Sequence, residues 1–174
     1  ALQVTDAFYQ LFDQLKGQCG IEQKDFTTFY SFFSEIADHY ISNASDSVMK
    51  CLVNHSSKSY EALINVRLSF KGEILRLEIE DNGTGIPFEV EQKLFVEKVT
   101  SKENENIAHY GGVGVGLLNV ANFQRRLDGQ AGYINKGVDQ GATFWFEAPL
   151  KKCQEVFEDP SYKKHLNKRY DDCT

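Results

Sequence analysis

No two cysteines in this chain stand at the spacing of a CxxC pair. Cys19, Cys51, Cys153 and Cys173 are scattered, which removes zinc-ribbon and thioredoxin-like folds and leaves free thiols in a reducing cytosol as the expectation. Cys51 and His55 lie four apart on a predicted helix and could share a metal. Two ligands are too few, and a packed cysteine beside a surface histidine is the simpler expectation. No apolar run approaches bilayer-spanning length and no signal peptide is visible. A cytoplasmic domain without membrane contact is expected. The start at Ala1 suits a segment of a longer protein, with any anchor elsewhere. Positive charge is also short: 19 Lys and Arg against 25 Asp and Glu give a net charge of -6. An acidic protein gains nothing from counterion release on nucleic acid or an anionic membrane, so neither is an expected partner. No glycine-rich loop is followed by Gly-Lys-Ser/Thr, which excludes a Walker A loop. There is no internal repeat.

What is present is an ordinary globule of 174 residues with 41% hydrophobic and 13% aromatic residues, phenylalanine dominant. That length gives one domain a full core. Val4, Phe8, Leu11, Phe12 and Leu15 recur at helical spacing. Asp25 is a plausible N-cap for a long second helix whose apolar face runs from Phe26 through Phe29, Phe33, Ile36, Tyr40, Ala44 and Val48 to Leu52. Alternation over residues 62–70 and 75–79 predicts two strands joined by a turn at Lys71-Gly72. A polar stretch with a short helical piece near Val90–Phe95 follows. Next come a helix over Leu117–Leu127 with Gly129 as its C-cap, and strands near Gln130–Asn135 and Ala142–Ala148 around a turn at Gly137. Asp159-Pro160 could cap a short helix. The order favours an α+β fold: a two-layer α/β sandwich, with helices on one face of a mixed, mostly antiparallel sheet. Three segments are expected: an N-terminal helix and link over 1–24, a catalytic unit over 25–150 and a charged tail over 151–174.

Two glycine motifs carry the chemistry. Asp81-Asn82-Gly83-Thr84-Gly85-Ile86-Pro87 puts a carboxylate at a strand end before a glycine turn. An ionised carboxylate there accepts from the exocyclic amine of adenine and repels the carbonyl of guanine. Gly83 and Gly85 allow close backbone approach. Alone, Asp-Asn-Gly is also an ordinary surface turn. Some thirty residues on, Gly111-Gly112-Val113-Gly114-Val115-Gly116-Leu117 runs into a helix, where backbone N–H groups and the helix N-terminus can receive phosphates. Asn43 offers a hard oxygen to Mg²⁺, with His39 and Asp46 on the same helix face. Lys102 can reach a phosphate, and Thr143 can support adenine through water. Each has a plain structural alternative: a polar helix stripe, a solvated lysine, a strand threonine.

Taken together, these residues resemble the GHKL or Bergerat-fold ATPases, most closely the ATP-binding catalytic domain of sensor histidine kinases. Asn43-Ala44 resembles the N box, Asp81 to Pro87 the first glycine box, and Leu94-Phe95 with Thr100-Ser101-Lys102 the F box. Gly112 to Leu117 resembles the second glycine box and Gly141-Ala142-Thr143-Phe144 the closing strand. The resemblance implies ATP between helices and sheet under a lid from about Phe95 to Gly114. Asn43 would lie on Mg²⁺ and Asp81 on adenine. Asp46, Gly83, Gly85, Ile86, Lys102, Gly112, Gly114, Val115, Gly116, Leu117 and Thr143 would line the nucleotide site. It further implies γ-phosphoryl transfer to a histidine on a separate dimerisation domain, with a response regulator or equivalent protein beyond it. Departures are His39, where hydrolytic branches carry a glutamate, and Asp46, where kinases often carry a base. His39 is the one candidate catalytic side chain, able to act as a general base near pH 7, with a simple hydrogen-bonding role the first expectation. His55, His109 and His165 lack the neighbours of a phosphoacceptor. Two rivals stand beside this reading: an anti-sigma-factor-type serine kinase, and a non-catalytic nucleotide-binding interaction module.

Overall fold

The computed structural model describes residues 10–15, 17, 22–55, 59–95 and 116–164. Its spine is α1 (Gln23–Asn54), 32 residues long, or about 48 Å at 1.5 Å per residue. Phe29, Phe32, Phe33, Ile36, Ala37, Tyr40, Ala44, Val48 and Cys51 recur every three or four residues along it and are buried. The helix forms because that stripe has a sheet to cover. Asp25 is not its N-cap. The N-cap is Glu22, without a side-chain cap bond, whereas Asp25 is buried in the first turn and accepts from Gln154 Nε2 at 2.6 Å.

Strands β1 (Ile64–Lys71), β2 (Ile74–Asp81), β3 (Gln130–Asn135) and β4 (Ala142–Pro149) form one sheet in the order β1-β2-β4-β3. All three pairings among the described residues are antiparallel. The first hairpin turns on Gly72 and Glu73, both at positive φ, one residue later than the sequence suggests, as a two-residue mirror-image turn that matches strand twist. Leu75, Leu77 and Ile79 of β2 and Phe144, Phe146 and Ala148 of β4 are buried on the face that α1 covers. The opposite face is a charge lattice. Arg76 reaches Glu78 and Glu147 at 3.0 and 2.9 Å and lies 4.2 Å from the centre of the Trp145 ring. Lys136 and Arg67 both bond Glu80.

Period two has a consequence for Asp81. It shares parity with Leu75, Leu77 and Ile79, so its carboxylate lies on the apolar side of the sheet, at the strand's end. Aromatic pairs lock the layers: Phe33 meets Phe146 edge-on at 5.4 Å, and the Tyr40 hydroxyl donates to the Trp145 carbonyl at 2.9 Å.

The helices after the hairpin differ in detail from the sequence pattern. The short one, α2, is Phe88–Glu91 rather than Val90–Phe95. Helix α3 (Gly116–Arg126) ends in a Schellman motif in which Gly129 N–H donates to Gln124 O at 2.9 Å. The left-handed residue there is Asp128, at φ 49°, and Gly129 is the position beyond it. Helix α4 (Leu150–Glu158) starts directly on the end of β4. It packs on α1, and with Tyr162, whose ring lies 4.9 Å from Phe32, it closes the core. Asp159 does cap the helical residues 160–164, accepting from the Ser161 N–H at 2.7 Å.

Candidate functional site

Asp81 is the most constrained polar group at the open end of the sheet, 3% exposed. Its Oδ1 accepts from the Gly83 N–H at 2.8 Å and from the Ser47 hydroxyl at 3.0 Å. Burial pushes the carboxyl above its ordinary range, opposed by the Gly83 N–H, the Ser47 hydroxyl, the Ala142 N–H and the charge of Lys136. The turn is pressed against α1. A Cβ on Gly83 would stand 2.7 Å from Val48 N and 2.5 Å from Ser47 C, so only glycine allows the contact. Thr84 N–H donates to Ser47 Oγ at 3.0 Å. Ser47 therefore joins the long helix to the carboxylate and to the glycine turn at once.

The rest of the turn is held by Asn135, the last residue of β3. Its Oδ1 accepts from the Ile86 N–H at 3.2 Å and its Nδ2 donates to Ile86 O at 2.9 Å. Gly85 sits at φ 74° and Ile86 packs on the core. Gly141 sits at φ 80°, and a Cβ there would stand 2.7 Å from Asn82 Cα. Thr143, two residues on in β4, is buried but pairs across the sheet with Glu80, so alternation puts its side chain on the charged face, away from Asp81 and from the adenine position the sequence suggests. Asn82 points elsewhere and ties down the chain entering β1, accepting from the Leu63 N–H and donating to Glu61 O.

One face of α1 passes under all of this. His39, Asn43 and Ser47 follow at intervals of four, and all are half-buried. His39 Nε2 lies 3.5 Å from Asn119 Nδ2, and a Cβ on Gly116 would stand 3.1 Å from His39 Nδ1. His39 thus abuts the N-terminus of α3, whereas Ser47 abuts Asp81. The two contacts are eight residues apart on α1, about 12 Å along the axis. Asn43 lies midway between them. Asp46, beside Ser47, is pushed upward by burial, with Lys50 opposing. Leu117 packs on the core from the first turn of α3. Lys102, Gly112, Gly114 and Val115 lie outside the described residues, as does most of the expected lid.

Ser47 and Asn135 are absent from the set the sequence singles out. Ser47 had a signal, because it lies one helical turn beyond Asn43 on the same face. Asn135 had none, since its role depends on β3 ending beside the Gly85-Ile86 turn.

A strand-end carboxylate, two glycine turns and a helix N-terminus arrayed along one long helix define a nucleotide-binding α/β sandwich. Residues 31–152 match the family described as Histidine kinase-, DNA gyrase B-, and HSP90-like ATPase. The chain belongs to that family, and it is an ATP-binding domain of the Bergerat type. Over 78 residues, 45% of this chain, it is 40% identical to the sensor histidine kinase AruS of Pseudomonas aeruginosa, covering 8% of that protein. Over 83 residues, 47% of the chain, it is 36% identical to the hybrid signal transduction histidine kinase K of Dictyostelium discoideum, covering 7% of it. The matched segments thus span less than a tenth of these curated relatives. The nucleotide-free catalytic domain of histidine kinase ThkA superposes with a TM-score of 0.50 at 20% identity, over 74% of this chain and 71% of that one, and shows the shared fold. Among the described residues no helix is long and apolar enough to cross a membrane.

Proposed function

We propose that this chain is the catalytic domain of a protein histidine kinase. It holds Mg-ATP and donates the γ-phosphoryl group to a histidine on a separate dimerisation domain, from which a response regulator or equivalent protein receives it. The terminal P–O bond of ATP breaks, an N–P bond forms on the imidazole, ADP leaves, and the imidazole proton passes to solvent. The catalytic unit is residues 25–150, with the segment 151–164 docked on it, in a cytosolic setting.

The observation that carries this reading is the Asp81 carboxylate. Gly83 and Ser47 donate to Oδ1, so the second oxygen is the one oriented for the adenine amine, and the fold bears the cost of burying it. Ile86, packed on the inner face beside the glycine turn, flanks the base. The N-terminus of α3, with Gly116 and Leu117, faces the phosphates and supplies a favourable dipole. Gly112, Gly114, Val115 and Lys102 complete the phosphate side by family pattern. The half-buried amide of Asn43, midway along the same face, is a hard-oxygen donor suited to Mg²⁺ that keeps its waters and phosphates. A magnesium ion held there would supply neutralisation of the phosphate charge. His39 positions the start of α3 rather than acting as a base, given its contacts with Asn119 and Gly116.

The test is calorimetric titration of the chain with a non-hydrolysable ATP analogue, with and without Mg²⁺, against the guanine analogue. Adenine-selective, magnesium-strengthened binding is expected. Absence of binding at millimolar nucleotide would overturn the reading in favour of an interaction module. Acid lability of the phosphate on a trapped acceptor then separates phosphohistidine from phosphoserine.

A further inference from the structure

At the end of α1 away from His39, three ligating side chains converge. Cys51 and His55 lie one turn apart, and Asp139 reaches them from the turn between β3 and β4. One ligand atom from each lies within 4.8 Å of the others. The sequence offers only the first two; the third comes from the fold. Cys51 Sγ is 3.7 Å from Asp139 Oδ1, and His55 Nε2 is 3.3 Å from Asp139 Oδ2.

We infer that Cys51, His55 and Asp139 form a binding site for a thiophilic divalent transition-metal ion, zinc being the best match. The argument is geometric. Zn–S of about 2.3 Å and Zn–N or Zn–O of about 2.0–2.2 Å at tetrahedral angles place ligand atoms roughly 3.3–3.6 Å apart. The Cys51 and His55 contacts, at 3.7 and 3.3 Å, end on different oxygens of Asp139; with one atom taken from each residue the three lie within 4.8 Å of one another, and rotation of the exposed His55 and Asp139 side chains closes them onto the tetrahedral span. Thiolate, imidazole and carboxylate select zinc over Mg²⁺ or Ca²⁺, which take oxygen. Cys51 is 1% exposed and in no disulfide, whereas the side chains of His55 and Asp139 are 28% and 45% exposed, so an ion can enter from the solvent side. Three protein ligands leave the fourth position to water. Coordination displaces the thiol proton to solvent, and the proton on His55 if it is charged.

The place of the cluster gives it a consequence. The Asp139 N–H donates to Thr84 O at 3.0 Å, and Cys51 lies one turn beyond Ser47, the donor to Asp81. A bound ion therefore fastens the end of α1 and the β3–β4 turn to the first glycine turn. Without metal, the same groups make a weak thiol–carboxylate contact, a thiol hydrogen bond with Tyr60, a ring contact between His55 and Tyr60 and an ion pair that depends on His55 being protonated.

The experiment is titration of the chelator-treated full chain with Co²⁺ alone, followed by displacement with Zn²⁺, in wild type and in Cys51→Ser, His55→Ala and Asp139→Asn, each checked for folding by circular dichroism. A stoichiometric thiolate-to-cobalt charge-transfer band is expected in wild type and absent in Cys51→Ser. His55→Ala and Asp139→Asn should bind at least tenfold more weakly. Wild type without the band, a band retained in Cys51→Ser, or unchanged affinity in Asp139→Asn would each overturn the site. If Cys51→Ser fails to fold, the two exposed-ligand variants decide. None of these readouts uses ATP, so the metal site stands or falls independently of the kinase reading.

Discussion

Asp81→Asn isolates the adenine assignment from the stability of the fold. Oδ1 is committed to the Gly83 N–H at 2.8 Å and the Ser47 hydroxyl at 3.0 Å. An amide oxygen in that place accepts both, so the turn stays anchored. The amide nitrogen then replaces the second oxygen and opposes the adenine amine, donor against donor. A hydrogen bond to a charged group contributes about 1.5–3 kcal/mol, and about 1.4 kcal/mol is tenfold in affinity. The ATP Kd should therefore rise roughly 10–150-fold. GTP, with a carbonyl at the same position of the ring, should lose far less, so the ATP-to-GTP preference collapses. Calorimetric titration with both nucleotides, on protein shown to be folded by circular dichroism, reads both effects. A folded Asp81→Asn protein with wild-type ATP affinity, or with its base preference intact, would refute the assignment.

Three further outcomes follow from the same geometry. Asn43→Ala should bind nucleotide in chelator as wild type does but lose the gain on adding Mg²⁺; equal magnesium dependence would remove Asn43 from the metal side. Gly141→Ala adds a Cβ at φ 80°, 2.7 Å from Asn82 Cα. Backbone strain of that kind costs about 1–3 kcal/mol, to be read as a lowered urea midpoint, and an unchanged midpoint would show that the turn relaxes freely. The pH dependence has a definite sign. Asp81 is raised above its ordinary 3.8 in the fold, so between those two values the native state binds more protons than the unfolded one. The Asp81 contribution to stability is then best at low pH and declines as pH rises through the folded value. Asp81→Asn should abolish that part of the slope in pH-resolved urea melts.

Most of the frame was legible because it is periodic. The stripe from Phe29 to Val48 specifies α1, and the alternation of Leu75, Leu77 and Ile79 specifies β2 and carries Asp81 onto its inner face. What was illegible depended on contacts between distant segments. Asp25 looks like a cap because it is an acid before an apolar run, yet its partner is Gln154, 129 positions away. Gly129 looks like the C-cap, but Asp128 takes the left-handed position and Gly129 is needed for its approach to Glu147 O, 2.5 Å from where a Cβ would be. Helix α4 hid in a charged tail because only Cys153 of it is fully buried. The proposed binding residues Asp81, Gly83 and Asn43 could be picked out by type and spacing. Of their supports, Ser47 offered only its place one helical turn beyond Asn43 on the same face, and Asn135 offered nothing, since an asparagine signals no such role until a turn is folded against it.

The burial of Asp81 links nucleotide to fold. Removing a carboxylate from water is costly, and in the chain alone the donors that offset it are Gly83, Ser47 and Ala142, with Lys136 acting at longer range. An adenine amine would be one more donor at the oxygen that lacks Gly83 and Ser47. The native state should then be the state that ATP selects, and stabilisation follows by mass action, about 2.7 kcal/mol at a hundredfold excess over Kd. Wild type should show that gain as a nucleotide-dependent rise in thermal midpoint, and Asp81→Asn should show much less at the same ATP concentration. Equal rises in both would mean that the phosphate side alone carries binding. Asp81 would then be a structural carboxylate holding the Gly83 turn to α1.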